Sequence, residues 1–351
     1  MKPFQHIRAR NAQQAVELLQ QHGQQARILA GGSEILMRMK QGQLAPEYLI
    51  SLRQVPSLRL ISHYLHSNLE IGAFTTLQQI ADHPVISSRF SALSEAAQSI
   101  GSPQLRHRAT IAGNLLQHCR CPYYLEHFNC VKKGGATCPA KTGDARLLSI
   151  FDTGACKAVH PSDLATALAS LNASVVLNGP RQERSIKLSA FLITPKENLT
   201  QDNRLEPGEV ITKIVVPEVD SGTRSAFRKM TVRSRNDHAL VSVAVALSPE
   251  SDTVRTARMY LGGAASIPWR AESAELYLRH NPLTEDTIQQ AAVLALAGAA
   301  PILTTETQVG NEYKVQMAKA MIHDALDHIM NSSPPADYYD YEDDDEYYGY
   351  E

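Results

Sequence analysis

No stretch of this chain is long and apolar enough to cross a bilayer, and Met1-Lys2-Pro3-Phe4 leads into polar residues rather than the apolar run of a secretory leader. A membrane-spanning protein is therefore not expected. The expected address is cytoplasmic, or periplasmic if a partner subunit carries an export signal. Strong charge of one sign is also missing, since the formal net charge is −2. Eight of the 36 Asp and Glu fall between Asp337 and Glu351, so the 34 Lys and Arg leave the remaining body only mildly basic. That excess is too weak to argue for nucleic acid. No internal repeat is present. Cysteine numbers five, with none after Cys156. An odd count rules out a complete disulfide framework, and a chain of 351 residues with 43% hydrophobic content can bury a core without one.

The cysteines present share one segment: Cys119, Cys121, Cys130, Cys138 and Cys156. Thiolate is a soft ligand that suits zinc, copper(I) or iron–sulfur clusters, so spacing must choose among them. Structural zinc sites draw ligands as tight pairs, roughly two to four residues apart. Here Cys121, Cys130, Cys138 and Cys156 are separated by 9, 8 and 18 residues, a loop able to wrap something larger than one ion. Four thiolates are what a four-iron four-sulfur cluster requires. Cys119 is then spare, either a buried free thiol or an alternative ligand. Ordinary buried cysteines and a zinc site are the competing readings.

The length suggests two or three domains. Asn11 with Gln14 reads as a capping box, and Ala15, Leu18 and Leu19 give a helix one apolar face before Gly23 stops it. A strand at Arg27–Ala30 runs into Gly31-Gly32-Ser33, followed by an amphipathic stretch from Glu34 to Lys40. Strand, glycine turn and helix start expose backbone amides that bind phosphate, although a Gly-Gly pair also serves as a plain turn. Strands are expected at Tyr48–Leu52 and as a hairpin of Leu58–His63 with Leu69–Ile71, then a threonine-capped helix near Leu77. A second glycine loop, Thr110 to Asn114, lies just before the cysteines. His160-Pro161-Ser162-Asp163 begins a helix through Leu171, and strands recur at Ala173–Leu177 and Val210–Val216. A new unit is expected near Ser221, with strands at Ala226–Val232, Ala239–Leu247 and Thr256–Leu261. Helices at Arg270–Arg279, Thr284–Ala297 and Asn311–Met330 then complete an α+β layer. From Ser332 the composition is acidic and Tyr-rich, and a disordered tail is expected.

The run Leu29-Ala30-Gly31-Gly32-Ser33-Glu34-Ile35-Leu36, with Ile71 to Thr75 and Thr110 to Leu115, resembles the flavin-binding signature of the molybdenum hydroxylases, in their FAD-binding medium subunits. Ser225 to Lys229, Asp237-His238-Ala239 and Gly262 to Arg270 are similar to the C-terminal half of those subunits. The resemblance extends from Lys2 to about Met330. Arg120 to Tyr124, then Cys130, Cys138 and Cys156, is similar to an insertion that carries an extra 4Fe-4S cluster in 4-hydroxybenzoyl-CoA reductase and certain bacterial aldehyde oxidoreductases. The implied fold class is α+β, with a vanillyl-alcohol-oxidase-like (PCMH-type) FAD-binding domain in two subdomains, 1–55 and 56–220. The iron–sulfur insertion would occupy about 117–158, a C-terminal domain of the CO dehydrogenase flavoprotein type 221–331, and the acidic tail 332–351.

The resemblance also implies roles. Leu29, Ala30, Gly31, Gly32, Ser33, Glu34, Ile35 and Leu36 would hold the FAD pyrophosphate through the backbone. Ala73, Thr75, Thr110, Ala112, Gly113, Asn114 and Ile211 would join the dinucleotide site, the glycine permitting close approach. Asp163 would stand near the flavin, and Lys229 beside the isoalloxazine, where a cation stabilises charge on the reduced ring. The plain alternatives are that Asp163 caps its helix and Lys229 is a strand-surface charge. Cys121, Cys130, Cys138 and Cys156 would ligate the 4Fe-4S cluster. Two positions depart from the common pattern: Ala112, where a second glycine is frequent, and Glu34, where a small or amide residue is frequent. A carboxylate beside a pyrophosphate is unfavourable unless it points away.

Nothing in the chain resembles a molybdopterin site or the two-iron clusters of the family. The resemblance therefore implies a large molybdopterin subunit and a small 2Fe-2S subunit, assembled as a dimer of heterotrimers, and an external carrier such as ferredoxin. The chain would relay electrons, because FAD takes two and passes them singly. The substrate, whether an aldehyde, an N-heteroaromatic or 4-hydroxybenzoyl-CoA, would be handled on the large subunit. The alternatives are a free-standing FAD oxidoreductase and a zinc-binding scaffold without flavin.

Overall fold

Asn11 opens the first structural unit: its side chain accepts the Gln14 amide at 2.8 Å and starts the helix Ala12–His22, which ends at Gly23 with φ 53°. Gln14 reaches back to the Arg10 amide rather than to Asn11, so the expected capping box is displaced by one residue. This helix connects β1 (Gln5–Arg8) to β2 (Ala26–Leu29), and both strands flank β3 (Tyr48–Ser51) in a parallel sheet. The computed structural model describes residues 1–332 apart from Leu65 and Arg235, so the acidic tail beyond Ser332 lies outside the described residues.

The second sheet is antiparallel, in the order β4 (Ile61–Ser62), β5 (Leu69–Gly72), β8 (Val210–Val216), β6 (Ser174–Asn178), β7 (Glu183–Lys187). The strand expected over Leu58–His63 is reduced to two residues. Pro56 starts a 3-10 turn through Arg59, since proline fixes φ and has no N–H for a ladder. Strand β7 was not expected: Glu183-Arg184-Ser185-Ile186-Lys187 is a mostly polar edge strand with little apolar signal.

The third sheet runs β12 (Trp269–Arg270), β11 (Thr253–Gly262), β10 (Val241–Glu250), β9 (Arg224–Met230), all antiparallel. The helix expected from Arg270 begins only at Glu272, because Trp269 and Arg270 pair with Leu261 and Tyr260. Strand β10 is buried from Val241 through Ser248. Its alternation serves two cores: Ala244 and Ala246 join the core of the N-terminal unit, while Val243, Val245 and Leu247 join that of the C-terminal helices. A strand covered on both faces reads as a continuous apolar run. The helices Ser91–Gln98 and Asp163–Ser170 pack on this sheet, as does Tyr313–Asn331. No helix among the described residues is long and apolar enough to cross a membrane.

Two local contacts position the site. Gly31 follows β2 so closely against residue 108 that an added Cβ would lie 1.7 Å from the Arg108 carbonyl oxygen. The cysteine segment forms a small core of its own, including Cys119, Cys138, Cys156, Val131 and Leu148. It is fastened to the C-terminal unit by Asn311, whose amide donates to the Leu148 and Ser149 carbonyls at 3.0 and 3.1 Å. Lys314, fully buried, donates to the Leu148 carbonyl at 2.9 Å and the Gly263 carbonyl at 2.5 Å, with no carboxylate partner among the described residues.

Two outcomes are expected. Gly31→Ala must push residue 108 away, costing about 1–3 kcal/mol of stability, and chemical denaturation with FAD titration should show lower stability together with weaker FAD binding. Burial pulls the Lys314 amine down to about 7 from 10.5. Between those values unfolding takes up a proton, so this group's contribution to stability rises with pH across that window and falls as pH drops towards 7. Lys314→Met should flatten the dependence of melting temperature on pH between about 7 and 10; an unchanged slope would assign the proton to another group.

Candidate functional site

Leu29 ends β2, and Ala30 to Glu34 turn the chain into the helix Ile35–Lys40. The first helical bond is donated by Leu36 to the Gly32 carbonyl at 3.2 Å, which leaves the preceding amides free of the intrahelical set. Gly32 sits at φ 81°, a region that disfavours any Cβ. Ser33 is exposed, and Ile35 and Leu36 are half-buried. The facing turn is a short helix, Ile111–Leu115, rather than an open glycine loop, started by Thr110 Oγ1 accepting the Gly113 amide at 3.3 Å. A Cβ at Gly113 would meet only that hydroxyl, at 3.0 Å, so the outer side of the turn is open to a ligand. Ala73 and Thr75 accept the Ala112 and Ile111 amides through their carbonyls, at 3.2 and 3.0 Å. Thr75 Oγ1 is buried without a hydrogen-bond partner among the described residues, the state of an atom that a bound polar group would satisfy. Ile211 lies in β8 opposite Leu177, with its side chain in the core.

Between the two turns is a pocket of about 80 Å³ lined by Ala30, Gly31, Thr110 and three arginines, Arg53, Arg59 and Arg108. Among the described residues none of these arginines has an ion-pair partner. Free amides, a left-handed glycine and unpaired guanidinium groups together hold a polyanion, so these residues fit the diphosphate of FAD. The arginines escape sequence reasoning because isolated surface arginines carry no motif.

Lys229 and Asp163 come together across the two units. Lys229 Nζ lies 2.7 Å from Asp163 Oδ2 and 3.0 Å from the Ser99 carbonyl, with the two side chains only 4% and 6% exposed. Asp163 is not the helix cap: Ser162 Oγ accepts the Ala165 amide at 3.0 Å and donates to Asn114 Oδ1 at 2.6 Å. Lys229 is not a surface charge either. Asn114 thus ties the second turn to the helix that presents Asp163. His238 is a close electrostatic neighbour of this pair, and burial and the Arg120 cation lower its pKa.

All five cysteines are free thiols, with Cys121 half-buried and the other four buried. Burial pushes Cys121 up to about 11, with Cys156 and Cys138 as further neighbours, and burial raises Cys156 beside Cys138 and Cys130. Burial also pushes Cys119 up to about 12. Cys121 thus has Cys138 and Cys156 as neighbours, and Cys156 has Cys130 as well. Among the described residues, however, no group of three or more His, Cys, Asp or Glu side chains is arranged to hold a metal ion, so no zinc-type site is preformed. Lys132, paired with Asp202 at 2.5 Å, adds a cation beside Cys119 and Cys156. Burial pulls His118 and His160 down to about 4 each, so both rings are neutral near pH 7.

The Glu34 side chain points away from the glycine turn. Its Oε2 lies 2.5 Å from Arg120 Nη2, and Oε1 accepts the His118 amide at 3.3 Å. The departure from the common pattern is thereby compensated within the chain.

Comparison with known proteins agrees with this geometry. Residues 2–219 match the family model for the FAD binding domain in molybdopterin dehydrogenase, and residues 225–329 match that for the CO dehydrogenase flavoprotein C-terminal domain. The chain is 35% identical over 282 residues to the aldehyde oxidoreductase FAD-binding subunit PaoB of Escherichia coli (strain K12), covering 79% of this chain and 86% of that one. It is 28% identical to the carbon monoxide dehydrogenase medium chain of Hydrogenophaga pseudoflava, covering 92% and 96%. A solved carbon monoxide dehydrogenase from Hydrogenophaga pseudoflava, lacking the Mo-pyranopterin moiety, superposes with a TM-score of 0.74 at 28% identity over 94% of this chain and 98% of that one. With both family models matched in order over nearly its whole length, the chain belongs to the FAD-binding medium subunits of the molybdenum hydroxylase and CO dehydrogenase family, and is an oxidoreductase subunit.

Proposed function

We propose that this chain is the electron-relay subunit of a multi-subunit molybdenum hydroxylase, carrying FAD in the cradle between its two turns and a 4Fe-4S cluster on Cys121, Cys130, Cys138 and Cys156. The observation that carries the proposal is adjacency: Arg120, one residue before Cys121, is ion-paired at 2.5 Å with Glu34 of the glycine turn. A four-iron four-sulfur cluster takes four thiolate ligands, the number that Cys121, Cys130, Cys138 and Cys156 supply. Cys121 and Cys156, whose thiols burial holds above the ordinary range, ionise readily only against a cationic core.

Each residue then has a task. The backbone of residues 29–36, with Arg53, Arg59 and Arg108, binds the diphosphate. Ala73, Thr75, Thr110, Ala112, Gly113 and Asn114 shape the wall, Ile211 supports it from the core, and the Asp163–Lys229 pair faces the ring system. Bound FAD supplies the exchange between two-electron and one-electron carriers. The division into 1–55, 56–220 with the insertion at about 117–158, and 221–331 follows the same reading. A large molybdopterin subunit and a small 2Fe-2S subunit complete the complex, in keeping with relatives that are FAD-binding subunits or medium chains, and a ferredoxin-type protein accepts or donates electrons. The 35% identity to an aldehyde oxidoreductase subunit favours an aldehyde as the complex's substrate. Assembly takes place in the cytoplasm, with the complex periplasmic if a partner subunit carries an export signal.

Anaerobically purified protein should show flavin absorption with a broad shoulder bleached by dithionite, and about four iron and four acid-labile sulfide per chain. Flavin without iron or sulfide would remove the cluster from the reading. Lys229→Gln leaves Asp163 buried without its cation, so unfolding experiments should show a loss of about 3–5 kcal/mol. Adding Asp163→Asn should recover most of that loss, and a redox titration of the double variant should show a lower flavin potential than wild type.

A further inference from the structure

The helix that follows the glycine turn and its two flanks hold the entrance of the cysteine loop with three side chains in succession. Glu34 takes Arg120 Nη2 at 2.5 Å and the His118 amide at 3.3 Å. One turn later, Arg38 Nη1 lies 2.8 and 3.0 Å from the two ring nitrogens of His118, which is neutral beside it. Gln43 then donates to the Leu125 carbonyl at 3.2 Å. Residues 34–43 and 117–125 are thus clamped along one line. The charges in this clamp are not interchangeable. Glu34 sits at the N-terminal boundary of the helix with its side chain only 17% exposed. Without Arg120 its carboxylate would be a half-buried negative charge next to amides that receive an anion. Among the described residues Arg120 in turn has only Glu34 and the more distant Gln117 Oε1, at 3.5 Å, as hydrogen-bond acceptors, and its Nε is buried without a partner.

We propose that the Glu34–Arg120 ion pair couples flavin occupancy to the integrity of the cysteine loop, making both positioning residues of the electron path. Assigning the loop's cargo as an iron–sulfur cluster rests on the function proposed above; the coupling itself does not. With Arg120 docked, Glu34 is neutralised and the turn accepts a diphosphate. With the loop displaced, the same carboxylate repels it. Linkage is reciprocal, so bound FAD must hold the loop shut by the factor with which the closed loop tightens FAD.

The test uses the full-length chain, stripped of FAD and then reloaded with saturating FAD. Two rates are compared with and without FAD: loss of visible iron–sulfur absorption under EDTA, and alkylation of Cys121 by N-ethylmaleimide read by mass spectrometry. Wild type should be protected several-fold by FAD in both. Arg120→Gln and Glu34→Gln should each bring the protection ratio close to one, and the double variant should be no worse than either single change. Arg120→Lys, which keeps the charge on a shorter reach, should restore part of the protection and so separates uncoupling from misfolding. Full protection retained in Arg120→Gln would overturn the coupling. Absence of iron would overturn the cluster assignment and leave the alkylation rates to decide the coupling, while failure to bind FAD at saturation would overturn both.

Discussion

Strand β10 has no solvent face, and the architecture depends on that. Its alternate side chains fill the core of the N-terminal unit on one side and that of the C-terminal helices on the other. A one-residue slip would exchange the two sets and empty both cores. The register therefore fixes where β9 lies, and β9 carries Lys229 to the helix bearing Asp163. An ion pair buried this deeply persists only because packing on both sides leaves neither charge another place to go.

Electrostatics at the flavin cradle follows from the same economy of partners. Three arginines around the turn are left without carboxylates among the described residues, while the one acidic residue of the turn is neutralised from the neighbouring loop. Positive potential is thus concentrated where the diphosphate belongs. The glycines divide the steric work: Gly31 makes room for the protein's own Arg108 carbonyl, Gly32 supplies a left-handed turn, and Gly113 keeps the outer side open.

Much of this was legible in the sequence where local chemistry dictates structure. Asn11 caps its helix as its residue type favours, and the apolar run Ala239–Leu247 announced a strand, though not its burial on both faces; Thr110 and Ser162 cap helices where a glycine loop and an Asp163 cap were the readings on offer. Elements failed where tertiary pairing overrode local signal: Trp269 and Arg270 extend a sheet instead of a helix, and the polar edge strand Glu183–Lys187 has no periodicity to detect. The site was legible as motifs but not as partnerships. That Glu34 would find Arg120, 86 residues away, or that Asp163 would meet Lys229 at a separation of 66, is decided by folding alone.

The cysteine segment is fastened from far along the chain. Asn311, just before the last helix, reaches Leu148 and Ser149, and Lys314 in its first turn is fully buried with the Leu148 and Gly263 carbonyls as its partners. Without the segment the Lys314 amine, 166 positions downstream, would keep only the Gly263 carbonyl as its partner among the described residues. The segment and its fasteners thus form one structural unit encoded in two separate stretches of the gene.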